Sequence, residues 1–213
     1  MIEEFALDVA HLLAGSLVLV SLGMLYQRRL YALLNTFAAH AFLLSLSVAW
    51  QAYIQAAPHL FITAGIALVF KAIVIPVALH RMIVRLGIHR EIETVVGMGL
   101  VALSTVVMLD VTAEADPLTR EDLAFALSVV LLGLLLMVTR RNAVSQVVGF
   151  MSLENGHVLA ATGAKGMPFV VEISVAFSIL IAFIVIGIFL FRIRERFDSV
   201  DVQALDRFRG ELR

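Results

Sequence analysis

Apolar runs of about 18–25 residues recur along this chain, separated by short polar connections. An α-helix needs that length to cross a hydrocarbon core of roughly 30 Å. In lipid, only helices or closed barrels satisfy every backbone polar group. Composition agrees: 61% of the 213 residues are hydrophobic and 15% charged, against about 45–50% and 25% in soluble domains. The reading is an all-α integral membrane protein of about seven transmembrane helices. They fall at roughly 5–26, 30–54, 59–80, 93–111, 121–139, 142–163 and 168–191.

Charge orients these spans. With the N-terminus outside, Arg28, Arg29, Arg81, Arg85, Arg90, Arg140 and Arg141 gather at cytoplasmic ends, together with the tail arginines Arg192, Arg194, Arg196, Arg207, Arg209 and Arg213. Arg120 and Lys165 remain outside, thirteen basic residues against two. The positive-inside rule then places the C-terminus in the cytoplasm. The chain divides into 1–112 (four helices), 120–192 (three helices) and a charged tail, 193–213. "MIEEFALDVAHLL" is acidic where a signal peptide is basic, so the first helix is expected to stay.

Spans 1–3 and 5–7 share an orientation, and in each trio an Arg-Arg pair joins the first two helices. The second helix of each then carries a polar residue near mid-depth, His40 in one and Glu154 in the other. Parallel repeats of this kind occur among transporters, although any odd-numbered bundle obeying the positive-inside rule shows the same layout.

The near-neutral net charge of −1 gives no reason to expect nucleic acid as a partner. Without cysteine, the chain holds no disulfide, thiolate-bound iron–sulfur cluster or thiolate zinc site. A haem would need two histidines level on facing helices, and His40 and His157 lie about 15 Å and 22 Å from the cytoplasmic ends of theirs. No Gly-rich phosphate loop or "HExxH" motif is present.

The informative residues are polar ones inside apolar runs. Lys71 stands in "ITAGIALVFKAIVIPVALH", where a charge at a helix centre costs roughly 2.5–3.5 kcal/mol even on a lenient scale. Such residues pair, face a bundle interior or mark proton routes. Pro76 frees the Ala72 carbonyl, which offers the Lys71 ammonium an acceptor and predicts a kink. Glu154 and His157 are three residues apart, on one helical face. A carboxylate balanced between desolvation and a neighbouring ammonium can take and release a proton near neutral pH, and histidine titrates there unaided. Gly156 leaves room for a neighbouring backbone or a water. His40 is a further relay candidate, and Glu172, a few residues into the last span, is an exit carboxylate or an interfacial anchor. For each of these the alternative is structural: buried groups that satisfy one another and lock helices together.

"TRRNAVSQVVGFMSLENGHVLAA", "PFVVEISVAFSILIAFIVIGIF" and "SVDVQALDRFRG", taken in order, resemble component E of hydrogenase-4. "FITAGIALVFKAIVIPVAL" is similar to that family's lysine-bearing third helix. Residues 120–192 resemble in layout the three-helix K subunit of complex I and the C subunit of Mrp-type antiporters: an Arg-Arg-Asn opening, then a glutamate about thirteen residues into the middle helix. The resemblance implies a non-catalytic subunit of a formate-hydrogenlyase-type membrane arm, with Glu154 handing protons along it. It implies antiporter-like large subunits, a membrane anchor subunit and a peripheral hydrogenase-like arm as partners, in the cytoplasmic membrane of a prokaryote. Cofactors would belong to that arm, as iron–sulfur clusters and a [NiFe] site or its degenerate descendant, with none in this chain. The chain departs from the pattern in its last helix: Glu172 is shallower than the second glutamate of the K subunit, and Ser178 stands where the family can carry an acid. Two other readings stay open, a structural scaffold and a component of a Mrp-like cation/proton antiporter.

Overall fold

The computed structural model describes residues 2–86, 107, 110, 117–163, 180 and 187. Its elements are helical: α1 (Ile2–Tyr26), α2 (Leu30–Ile54), α3 (Pro58–Ile66), a π-helical segment (Ala67–Val74), α4 (Ile75–Leu86), α5 (Pro117–Thr139) and α6 (Ala143–Gly163). α3, the π segment and α4 run on from one another. Four helical stretches are long and apolar enough to cross a membrane: Phe5–Tyr26, Leu30–Ile54, Pro58–Arg81 and Arg120–Thr139. The seven expected spans thus reduce to four among the described residues. The span expected at 142–163 does form a helix, α6, but Gln146, Glu154, Asn155 and His157 make it too polar to count with them. The spans expected at 93–111 and 168–191 and the tail 193–213 lie almost wholly outside the described residues, and nothing in the fold orients the termini.

The exterior suits lipid. Leu12, Leu19 and Val138 are each about two-thirds or more exposed, a placement that water would penalise and hydrocarbon does not. Aromatic residues with a polar edge mark two levels. Tyr26 and Tyr31 stand at one end of the bundle, Trp50 and Tyr53 at the other. Tyr31 and Trp50 are nineteen residues apart on α2, roughly 28 Å at the α-helical rise, close to the thickness of a hydrocarbon core.

α2 lies at the centre, packed against α1, α6 and the whole Pro58–Leu86 helix, while α1 also packs against α5. Helices from both sides of the 112–120 break therefore share one core, which includes Leu17, Phe37, Leu44, Val48, Leu132 and Val148. The tightest pairing is α5 with α6, and glycine permits it. Gly149, Gly156 and Gly163 recur every seven residues on one face of α6. A Cβ on Gly156 would fall 2.8 Å from the Val130 nitrogen and 3.0 Å from the Ala126 carbonyl oxygen. The room expected beside Gly156 is thus filled by the backbone of α5, in the close approach that small residues allow between membrane helices.

The connections are built from few residues. α2 ends in a Schellman turn: Ala57 N–H donates to the Ala52 carbonyl (3.0 Å) and Ala56 N–H to Tyr53 (3.4 Å). Ala56 has φ 50° there, a conformation glycine usually takes. Pro58 then starts α3, where its missing N–H costs nothing. Between α5 and α6 the "RRN" run has two jobs. Asn142 Oδ1 accepts the Val144 N–H (2.9 Å) and so caps α6. Arg140 is 2% exposed, and its Nη2 donates to the carbonyls of Met24 (3.1 Å), Leu25 (2.8 Å) and Gln27 (2.8 Å). These carbonyls at the end of α1 have lost helical donors, and the guanidinium also complements the negative end of the helix dipole. Arg140→Ala is expected to lower stability by about 3 kcal/mol, read as the thermal midpoint in mild detergent.

The Pro58–Leu86 helix changes register before its proline. Pro76 can give no N–H, and its ring crowds the carbonyl four residues back. Through Ala67–Val74 the helix adopts π geometry, and Ile75 N–H bonds the Phe70 carbonyl, five residues back. Such wide turns are rare and occur often at functional sites. Lys71 sits within this one.

Candidate functional site

Five side chains from four helical segments form one buried chain of hydrogen bonds. Lys71, 6% exposed, extends from the π segment to α6. Its Nζ donates to Glu154 Oε2 at 2.6 Å and to Asn155 Oδ1 at 3.0 Å. Asn155, fully buried, turns its amide nitrogen to His40 Nδ1 on α2 (3.1 Å). An amide nitrogen only donates, so Nδ1 accepts. His40 Nε2 is then the protonated nitrogen and donates to Ser21 Oγ on α1 (2.9 Å). Both ring nitrogens of His40 are thus hydrogen-bonded to protein side chains.

The geometry departs from expectation in two places. The Lys71 ammonium does not use the Ala72 carbonyl: the π segment has absorbed the proline, and the side chain reaches across to Glu154 and Asn155 instead. His157 does not join the cluster. It is exposed, and Glu154 Oε1, although buried, accepts no hydrogen bond from the described residues. Three residues turn an α-helix by about 300°, which carries His157 onto the outward face beside Phe150, 38% exposed. Glu172 lies outside the described residues. His40, Lys71 and Glu154, by contrast, come together, with His40 joined to the pair through Asn155.

Sequence reading missed Asn155 and Ser21. Both are neutral, so neither carries the cost of a buried charge that marked Lys71 and Glu154. The signal for Asn155 was its place beside Glu154, one residue deeper into the bundle.

The pair can do acid–base chemistry. A buried ion pair holds two charges that each desolvate at a cost of several kcal/mol, so one proton moving between them trades a charged pair for a neutral one at short range. Glu154 Oε2 is engaged by the ammonium, while Oε1 is free to meet a proton from elsewhere. Among the described residues no group of three or more histidine, cysteine, aspartate or glutamate side chains could hold a metal ion.

The chain is 32% identical over 219 residues to an uncharacterized protein of Mycobacterium tuberculosis, Rv0085, covering 92% of this chain and 94% of that one. It is 26% identical over 207 residues to hydrogenase-4 component E of Escherichia coli K12 and of Shigella flexneri, covering 93% of this chain and 96% of theirs. No protein-family model matches the chain, and no solved structure does.

Proposed function

Because the chain belongs to the family of the uncharacterized mycobacterial protein Rv0085 and is a distant full-length homologue of hydrogenase-4 component E, we propose that it is a non-catalytic membrane subunit of a hydrogenase-like complex, and that it moves protons. The observation that carries the second half is the largely buried Lys71–Glu154 pair, 2.6 Å apart, whose lysine stands in a helix long and apolar enough to cross a membrane. Ionisable residues at such depth mark ion and proton paths. In this reading redox energy released in a peripheral arm drives, or is driven by, proton or sodium movement through the membrane arm.

The arrangement would comprise seven spans with the N-terminus outside, in the cytoplasmic membrane of a prokaryote. Residues 120–192 would act as the K subunit of complex I does, between an antiporter-like large subunit and a membrane anchor subunit. Iron–sulfur clusters and a nickel–iron site or its descendant would belong to the peripheral arm. The chain's own residues would hold and pass the proton at the Glu154 carboxylate. Lys71 would set when the carboxylate releases it, and Asn155 and His40 would fix the ammonium in place.

A scaffold reading draws on a specific observation as well: Lys71, Asn155, His40 and Ser21 satisfy one another, as interhelical glue would. The experiment that decides the assembly is to tag the C-terminus, extract in mild detergent, and identify by mass spectrometry and metal analysis what accompanies the protein. Antiporter-like subunits with an iron-rich arm are the expected result. Antiporter-like partners without metal would move the protein to the cation/proton antiporter class, and no partners at all would overturn the assignment.

A further inference from the structure

A second carboxylate is buried at the other end of the bundle. Asp122, in α5, is 1% exposed, and its Oδ2 accepts a hydrogen bond from Gln51 Nε2 on α2 (3.0 Å). Gln51, itself 3% exposed, accepts in turn from Gln55 Nε2 (3.1 Å), which also donates to the Thr162 carbonyl at the end of α6 (2.8 Å). Gly163 closes over the carboxyl: a Cβ there would fall 2.8 Å from Asp122 Cβ and 3.0 Å from Oδ2. Among the described residues, α2 thus gives this carboxyl one amide donor and α6 a glycine, and neither gives it a cation.

The charged groups near it come from α1 and from α5 itself. His11 on α1, 26% exposed, bonds Glu121 Oε2 at 3.0 Å, and Glu121 is 50% exposed. Both are close enough to act electrostatically on Asp122, and Arg120 lies two residues before it on the same helix. Exposure therefore steps down from Glu121 through His11 to Asp122, from the surface to the interior.

A structural aspartate would cap a helix or face a cation. Asp122 caps none, since α5 begins at Pro117; among the described residues its one hydrogen-bond partner is the Gln51 amide, and His11, which acts on it electrostatically, bonds Glu121 instead. Asparagine would keep the hydrogen bond and avoid the desolvation cost of a carboxylate. What aspartate adds is the ability to take up and release a proton. We propose that Asp122 is a second proton-holding site, a port between the water at the end of the bundle where α1 begins and the bundle interior. Inward from it, buried polar side chains continue along one face of α2 through Ser47 to His40. Gln51 and His40 are about 16 Å apart along the helix, so the port and the Lys71–Glu154 pair are separate stations. The proposal rests on the proton-moving reading of the complex, but not on Glu154 being the carrier.

The test uses the complete complex in native membranes. A hydrophobic carbodiimide adds to a protonated, buried carboxylic acid to leave a stable acylurea, which peptide mass spectrometry locates. Labelling at Asp122 that declines as pH rises is expected. Asp122→Asn, which keeps the acceptor for Gln51, is expected to lower hydrogen-driven proton pumping in inside-out vesicles at least about tenfold with the complex still assembled. Normal pumping by Asp122→Asn overturns the port, whatever the labelling. If Asp122→Asn fails to assemble, wild-type labelling decides: a modified Asp122 supports the port and an unmodified one overturns it. Lost pumping in Asp122→Asn beside normal pumping in Glu154→Gln would keep the port and remove Glu154 from the route. The reverse pattern would keep Glu154 and remove the port.

Discussion

Glu154→Ala is expected to destabilise the bundle by about 3–5 kcal/mol, because it leaves the Lys71 ammonium buried without a counter-charge. Lys71→Ala should cost a similar amount by stranding the carboxylate. Replacing both by methionine, which fills similar volume and carries no charge, should recover most of that loss. The shortfall of the double alanine variant from the sum of the single alanine variants measures the pair's coupling. Their contact is direct, at 2.6 Å, so a coupling of about 3 kcal/mol is expected. The readout is the thermal midpoint of the purified protein in mild detergent. Additive effects would mean that the two groups do not depend on each other. Recovery of stability should bring no recovery of proton pumping, since methionine neither takes nor gives a proton. That separation distinguishes a working pair from interhelical glue.

Gly133→Ala should have the other large effect, although it adds one methyl group. A Cβ at Gly133 would collide with the Leu153 nitrogen and fall 2.8 Å from its Cα and 2.9 Å from the Gly149 carbonyl oxygen. All of these are backbone atoms of α6 and cannot swing aside, so the two helices must separate. Overpacking that side chains absorb costs about 1–3 kcal/mol, and a clash with backbone should reach or exceed the top of that range. Movement of α6 would also carry Glu154 and Asn155 away from Lys71, so assembly and pumping should fall together. Gly65→Ala is the control: nothing lies within 4 Å of a Cβ there, and the better helix former should stabilise α3 by about 0.5–1 kcal/mol. Opposite signs at two helical glycines would confirm that contact, not helix propensity, sets the result at Gly133.

How much of this was legible in the sequence depended on the cost of each residue out of place. Lys71 and Glu154 stood out because a charge in an apolar run is expensive, but no local pattern says that the two touch across 83 residues. The helices of the first three spans were readable from run length. The π segment was not, since proline predicts a disturbance without saying whether the helix bends or changes register. The i, i+3 rule set His157 near Glu154, where it acts on the carboxyl electrostatically, but it does not say which line of a helix faces inward, and His157 is exposed. Asp122 follows an acidic stretch and Arg120, so it read as part of a solvated helix start. Its burial depends on Gly163 and Gln51, forty-one residues later and seventy-one earlier, which no local pattern connects. Arg140 was visible as a cytoplasmic-end charge, but its role as a donor to the last carbonyls of α1 exists only once the two connections meet.

The central claim is that Glu154 carries a proton in a membrane complex, and Glu154→Gln tests it most directly. Glutamine keeps an acceptor for Lys71 but cannot be deprotonated to take up a proton. Inside-out vesicles supplied with hydrogen would be assayed for dye-reported proton uptake, with assembly and hydrogen oxidation by a viologen dye measured on the same membranes. The expected result is an assembled, redox-active complex whose proton uptake has fallen at least about tenfold. Proton uptake at the unmodified level in that assembled complex would contradict it.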